Sequence, residues 1–242
     1  MLDVENIYRH ELGVDQVFDN SESKVLIPQW KVEALKKEIQ RKYPFTQVED
    51  IPQKISTVFA GNLIDWSAVD FVIVCVGAPN VEMSINRYMH SLEKSPPVIY
   101  SWVEPFGIGG HILVTLNKEK KGCYQCLFRP LSHEEPIRNL SSFVKPGQSF
   151  TKSLGGCATY FTPYSFLDSE ETANKVLRAI YQIAHGQLLG NPILSWKGSQ
   201  APFLDQGFQV SSRYEMSEEK LKANSLLYQD SNCPVCTKKE SH

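Results

Sequence analysis

Apolar positions along the chain change period several times, and each change marks an element. Over residues 31–42 (KVEALKKEIQRK), Val32, Leu35 and Ile39 recur at helical spacing among charged residues. This predicts a surface helix, stopped by Pro44. Residues 47–51 read as a short strand. Residues 71–76 (FVIVCV) form a continuous apolar run between Asp70 and Gly77, the pattern of a strand buried on both faces in a parallel sheet. A helix is predicted over 81–92. Strands are predicted over 97–103 and 111–116, joined by the GIGG of residues 107–110. Another helix is predicted from about 169 to 189, with Glu170 and Glu171 near its start and Gly190 past its end. Residues 193–196 and 208–212 read as a late hairpin.

This alternation predicts an α/β fold: a Rossmann-like, mostly parallel sheet flanked by helices. Residues 127–170 break the rhythm with Pro130, Pro136, Pro146, Gly147, Gly155, Gly156 and Pro163. Long irregular stretches inside compact domains are usually functional or mobile, so a mobile crossover is expected here.

Composition narrows the field without choosing a function. The 242 residues are 42% hydrophobic and 21% charged, with a net charge of −2. That excludes a disordered, collagen-like or coiled-coil chain and carries no bulk signal for nucleic acid or anionic membrane. No run is long and apolar enough to span a bilayer, and residues 1–10 carry no signal-peptide core. The expected compartment is the cytoplasm, where closely spaced cysteines point to metal or catalysis rather than disulfides.

Two CxxC pairs, Cys123–Cys126 and Cys233–Cys236, supply four thiolates suited to tetrahedral Zn²⁺. Their wide separation makes the expected zinc a staple that ties the C-terminal tail to the domain. A zinc-ribbon nucleic-acid module needs closer spacing and a basic surface, and the chain offers neither. Cys75, inside the apolar run, reads as a small packed hydrophobe. Cys157 follows Gly155-Gly156 in the irregular stretch, where a thiol can reach an activated acyl group. It is a candidate thioester-forming nucleophile; the alternative is an ordinary loop or core cysteine.

Several blocks together resemble the ThiF/MoeB superfamily, the ubiquitin-activating-enzyme-like adenylating proteins. Residues 2–13 (LDVENIYRHELG) resemble its ENIxRHxLG segment. Residues 31–35 (KVEAL), running on to Tyr43-Pro44, resemble its lysine-bearing helix. Asp70 to Cys75, followed by Ser84-Ile85-Asn86, resembles its DxVxxC…LN strand and helix, and the two CxxC pairs match its zinc staple. The order agrees across nearly the whole chain. The GGCATYFTPYS stretch and Trp196-Lys197-Gly198 look closest to bacterial activators of ubiquitin-like proteins.

The resemblance implies ATP-dependent adenylation of the C-terminal carboxylate of a ubiquitin-like or sulfur-carrier protein, with later transfer to a cysteine in some members. It implies Arg9 and Lys31 as cations stabilising charge on phosphate oxygens and Asn6 as a hydrogen-bonding partner of the nucleotide; Cys157 remains the candidate acyl acceptor from its place in the irregular stretch. Expected cofactors are ATP, Mg²⁺ and Zn²⁺. Expected partners are the carrier protein, a conjugating enzyme and a second copy of the chain, with no nucleic acid and no membrane. The expected organisation is a partial adenylation domain over 1–126, the crossover over 127–170, and a C-terminal helix, hairpin and zinc-binding tail of the same domain over 171–242.

The chain departs from the family pattern in three ways. Met1 falls just past the family's glycine-rich phosphate loop, so a fragment, a split gene product or a late start is expected. The GIGG does not replace that loop, because it opens no helix. After the apolar run, Val76-Gly77-Ala78-Pro79-Asn80 holds no acid where the family binds magnesium, and Glu82 falls on the following helix. Residues 21–30 look longer than the usual link to the lysine helix. A second reading is therefore a catalytically degenerate scaffold that binds a carrier protein or conjugating enzyme. Against a third, a nicotinamide-dependent oxidoreductase, stand the absent GxGxxG and the cysteine tetrad.

Overall fold

A computed structural model describes residues 11–13, 30–116, 121–129, 138–153 and 160–237. The chain divides into two compact units, Met1–Ile64 and Asp65–His242. Among the described residues, no helix is long and apolar enough to cross a membrane.

In the first unit, α1 spans Lys31–Lys42 and α2 spans Ile55–Ala60. The helix over 31–42 matches its sequence expectation, but its buried residue is Ala34, while Val32 is 40% exposed. Lys36 Nζ meets Asp50 Oδ1 at 2.6 Å. Residues 47–51 are not a strand; they form an irregular segment that brings Asp50 to this lysine.

The second unit is built on a four-stranded sheet. β1 is Val72–Val74, β2 is Val98–Val103 and β3 is Gly109–Thr115. Short β4 (Lys152–Ser153) and β5 (Tyr160–Phe161) pair with each other, and β6 is Ile193–Lys197. Between β1 and β2 lies α3, Pro79–Ser91. Pro79 begins that helix because its fixed φ suits the first helical position. The crossover makes β1 and β2 parallel, with Val72 opposite Val98.

The expected α/β class holds, with a parallel-containing sheet, but the pairing is mixed. β2–β3 and β3–β6 are antiparallel. Only residues 104–108 connect β2 to β3, too few for the crossover that a parallel pair requires. Phe106 (φ 56°) and Gly107 (φ 65°) make that turn, whereas Gly109 and Gly110 already belong to β3. The strain of a bulky residue at positive φ is held by packing of Phe106 against Phe203 and Phe208.

The long helix α4 covers Phe166–Ala184, three residues earlier at its start than its charge pattern suggested. A capping box fixes that start: Asp168 N donates to Ser165 Oγ, and Ser165 N donates to Asp168 Oδ2 at 2.7 Å. Gly186 (φ 64°), rather than Gly190, marks its exit. Val176 and Ala179 of α4 pack on Ile99, Ile112 and Val114, forming one core cluster. A second cluster gathers Ile108, Phe143, Phe203 and Leu221. Burial of each such aliphatic side chain contributes about 1.5–3 kcal/mol.

Two local expectations fail. The late hairpin does not form: β6 joins the main sheet against β3, and Val210 bridges to Val144 instead. Between them the chain winds into α5 (Ala201–Leu204), and α6 (Glu218–Ala223) follows. The run over 71–76 is not buried on both faces either. Within the described structure, β1 is an edge strand of the sheet, and Ile73 and Val76 are 49% and 51% exposed.

Candidate functional site

The four cysteines expected to bind metal come together. Their sulfurs all lie within 4.8 Å of one another, and all four residues are buried. Sγ–Sγ distances are 3.9 Å for Cys123–Cys126, 3.7 Å for Cys123–Cys233 and 3.6 Å for Cys126–Cys236. These are far too long for disulfides. They fit a tetrahedron around zinc, in which Zn–S bonds of about 2.3 Å place sulfurs about 3.8 Å apart. Hydrogen bonds among the crowded sulfurs push the Cys123 thiol well up. A coordinated cation reverses that preference and favours the thiolate.

The local folding explains the assembly. Cys123 leads into a 3₁₀ segment, Tyr124–Phe128, opened by Cys126 N donating to Cys123 O at 3.0 Å. Asn86 on α3 supports this turn twice, donating from Nδ2 to Cys123 Sγ at 3.5 Å and accepting Tyr124 N–H at 3.2 Å. Asn191, just before β6, clamps the approach by donating to Gly122 O at 2.7 Å and accepting Leu116 N–H at 2.7 Å. Gly122 sits at φ +84°, and a Cβ there would lie 2.7 Å from Tyr228 Oη. From the other end, Cys233 N donates to Asp230 O at 3.3 Å and Thr237 N to Cys233 O at 3.1 Å, tightening the second CxxC turn.

A cleft of about 810 Å³ opens where the carboxyl ends of β1 and β2 face α4. Ligands of open α/β sheets bind outside the carboxyl ends of parallel strands. Its walls mix Ile73, Trp102, Val103 and Val176 with Ser101, Thr162 and Thr172. Glu82 is the cleft's one acid among the described residues and is 2% exposed. Gly77 N donates to its Oε1 at 2.9 Å, and the Tyr124 hydroxyl donates to its Oε2. Burial, together with the bond to Glu82, pushes the Tyr124 phenol up, so it stays a donor. Tyr124 thus ties the cysteine turn to the cleft floor. No lysine, arginine or histidine lines the cleft among the described residues.

Cys75 corrects its sequence reading. It is exposed rather than packed, lines the cleft, and lies 3.0 Å from Ser101 Oγ. Cys75 directly follows β1, and nothing pairs with that edge of the sheet among the described residues. Lys31 is the first residue of α1 in the other unit and is half-buried. Asn6, Arg9 and Cys157 lie outside the described residues.

Sequence reasoning missed the buried chain behind β3. His111, fully buried, bonds Glu104 Oε1 through Nε2 at 3.0 Å and Ser195 Oγ through Nδ1 at 2.8 Å. Glu104 Oε1 also accepts the Phe143 N–H at 3.1 Å. Burial lowers the His111 pKa, despite the opposing bond to Glu104. Glu104 in the β2–β3 connection, His111 in β3 and Ser195 in β6 are spread along the sequence and give no local signal of such a chain.

Set beside known families, the chain matches the ThiF family over residues 14–160. No curated protein matches it.

Proposed function

The chain belongs to the ThiF family, and from that premise we propose that it activates the C-terminal carboxylate of a ubiquitin-like or sulfur-carrier protein with ATP. At family level the chemistry is adenylation of such carriers. The observation that carries the reading is the cleft at the carboxyl ends of β1 and β2, whose roughly 810 Å³ suits a nucleotide. In the reaction, a carboxylate oxygen of the carrier attacks the α-phosphorus. The bond to the bridging oxygen breaks, pyrophosphate leaves with that electron pair, and an acyl-adenylate forms.

Negative charge builds on the α-phosphate oxygens, and fixed cations lower that barrier. The described cleft lining supplies none. Lys31 and Arg9 are the proposed cations of the reaction, and Asn6 the proposed hydrogen-bonding partner of the nucleotide. Cys157 is the proposed acceptor in a second step: its thiolate attacks the acyl carbon, forming a thioester and releasing AMP. A conjugating enzyme and a homodimer complete the expected assembly.

Cys123, Cys126, Cys233 and Cys236 fit Zn²⁺ as a closed four-sulfur set that leaves no position for substrate. Its contribution is structural, fastening residues 233–236 beside the turn that carries Tyr124. The described cleft residues do not make a dedicated magnesium site. Among the described lining residues Glu82 is the one carboxylate, and each of its oxygens already accepts a hydrogen bond.

The lack of a basic lining in the described cleft favours a second reading, a scaffold that binds a carrier or conjugating enzyme without chemistry. Pyrophosphate exchange into ATP, measured with and without a ubiquitin-like protein ending in a free glycine carboxylate, separates the two. Carrier-dependent exchange lost in Lys31→Ala supports the enzyme. Carrier binding without exchange supports the scaffold.

A further inference from the structure

The basic side chains missing from the described cleft lining gather in a second cavity. It encloses about 410 Å³ and shares one lining residue, Asn139, with the cleft. Arg129, Arg138, Lys145 and Arg213 line it, and among the described residues no aspartate or glutamate does. Phe150 and Met216 give it an apolar wall.

Two of these arginines are held where a surface arginine would not be. The Nε atoms of both Arg129 and Arg213 are buried and make no hydrogen bond. A guanidinium stays protonated in proteins, so each carries its charge together with an unanswered buried donor. Arg213 is also supported from behind. Its Nη2 reaches Ser195 Oγ at 3.5 Å, Ser195 bonds His111 at 2.8 Å, and His111 bonds Glu104 at 3.0 Å. The carboxylate of this chain is taken up by His111 and Phe143, with two side chains between it and Arg213. The network orients the guanidinium without neutralising it. Desolvation lowers the Arg213 pKa, the direction expected of a half-buried cation.

We propose that this cavity binds a multiply charged phosphate compound, with Arg129 and Arg213 contacting its oxygens and Lys145 adding charge beside them. Planar guanidiniums match the paired oxygens of phosphate, and Arg is the usual choice where such recognition is needed. A single carboxylate answers only one of the two guanidiniums with unpartnered Nε atoms, whereas a phosphate monoester or diphosphate balances both. The apolar wall accommodates the carbon portion of such a ligand. This inference does not depend on the adenylation reading.

The test is calorimetric titration of the full, zinc-loaded chain with inorganic pyrophosphate, and separately with inorganic phosphate, at low ionic strength. Saturable one-to-one binding is expected, tighter for pyrophosphate. Arg129→Gln and Arg213→Gln should each weaken it at least tenfold. Lys145 is exposed, so Lys145→Ala tests the site without threatening the fold; about threefold weaker binding and a shallower salt dependence are expected. Ala173→Trp, which fills the strand-end cleft from an exposed helix position, should leave pyrophosphate binding unchanged. Absence of saturable binding overturns the proposal. So does binding unaffected by Lys145→Ala and by whichever arginine variants still unfold cooperatively. Binding abolished by Ala173→Trp also overturns it, by assigning the anion to the cleft. Loss of pyrophosphate exchange with this binding intact would fault the adenylation reading alone.

Discussion

The Sγ atoms of Cys123 and Cys233 lie 3.7 Å apart although 110 residues separate them. A metal joining them closes most of the second unit into one loop. Cross-linking a loop of this length restricts the unfolded chain strongly, and losing a comparable covalent link costs about 2–5 kcal/mol. Cys233→Ser, or zinc removal by a chelator, should therefore lower the thermal midpoint by several degrees, at about 2–4 °C per kcal/mol for a chain of this size. Differential scanning calorimetry with parallel zinc analysis checks this. An unchanged midpoint in zinc-free protein would show that the tail is held without metal.

Gly198 follows β6 and donates its N–H to Ile108 O at 2.9 Å. A Cβ there would fall 1.9 Å from Gly107 O, a backbone atom with no rotamer through which to escape. Gly198→Ala should destabilise by about 2 kcal/mol or more, since the turn must move as a whole. Urea unfolding measures it. A loss below about 0.5 kcal/mol would mean that the β2–β3 turn yields freely.

Glu82 separates two effects. Glu82→Ala leaves Gly77 N–H and the Tyr124 hydroxyl without their acceptor and opens a void, so about 2–4 kcal/mol should be lost. Glu82→Gln keeps an acceptor of nearly the same shape and should lose about half of that or less. Equal losses in urea unfolding would show that the negative charge, rather than the hydrogen bonds, holds the cleft floor.

His111 sets a pH dependence. Its folded pKa lies below the ordinary 6.5 because burial disfavours the cation. Below about pH 6.5 the unfolded chain takes up a proton that the folded chain refuses, so stability falls as pH falls. The loss approaches 1.4 kcal/mol per pH unit and stops only below the folded pKa. Above pH 6.5 this contribution is fully present. Urea midpoints between pH 7.5 and 5.5, with zinc retention monitored, should fall on acidification, and the slope should flatten in His111→Asn. An equally steep slope in the variant would assign the effect elsewhere.

What was legible in the sequence follows from the range of the interaction involved. The period of residues 31–42 yields α1 over the same bounds, because helical spacing is local. The cysteine tetrad was legible because each half is a local CxxC turn and the chemistry of four thiolates joins the halves. The hairpin over 193–212 failed because β6 finds β3 and Val210 finds Val144, both distant in sequence. Cys75 was misplaced because an apolar run does not reveal that its strand lies at a sheet edge. Glu82 was visible as a helix residue, but its bonds to Gly77 and Tyr124 depend on how α3 meets the cysteine turn. Arg213 gave no signal, since its isolation from carboxylates is a property of the cavity.

The adenylation account stands or falls on nucleotide binding at the strand-end cleft. The direct measurement is calorimetric titration of the zinc-loaded chain with ATP and Mg²⁺, alongside Ala173→Trp and Lys31→Ala. The account predicts saturable binding with a Kd on the order of micromolar, at least tenfold weaker when Trp fills the cleft; Lys31→Ala separately reads the contribution of that lysine. No binding by a folded, zinc-loaded chain, or binding that survives Ala173→Trp unchanged, would contradict it.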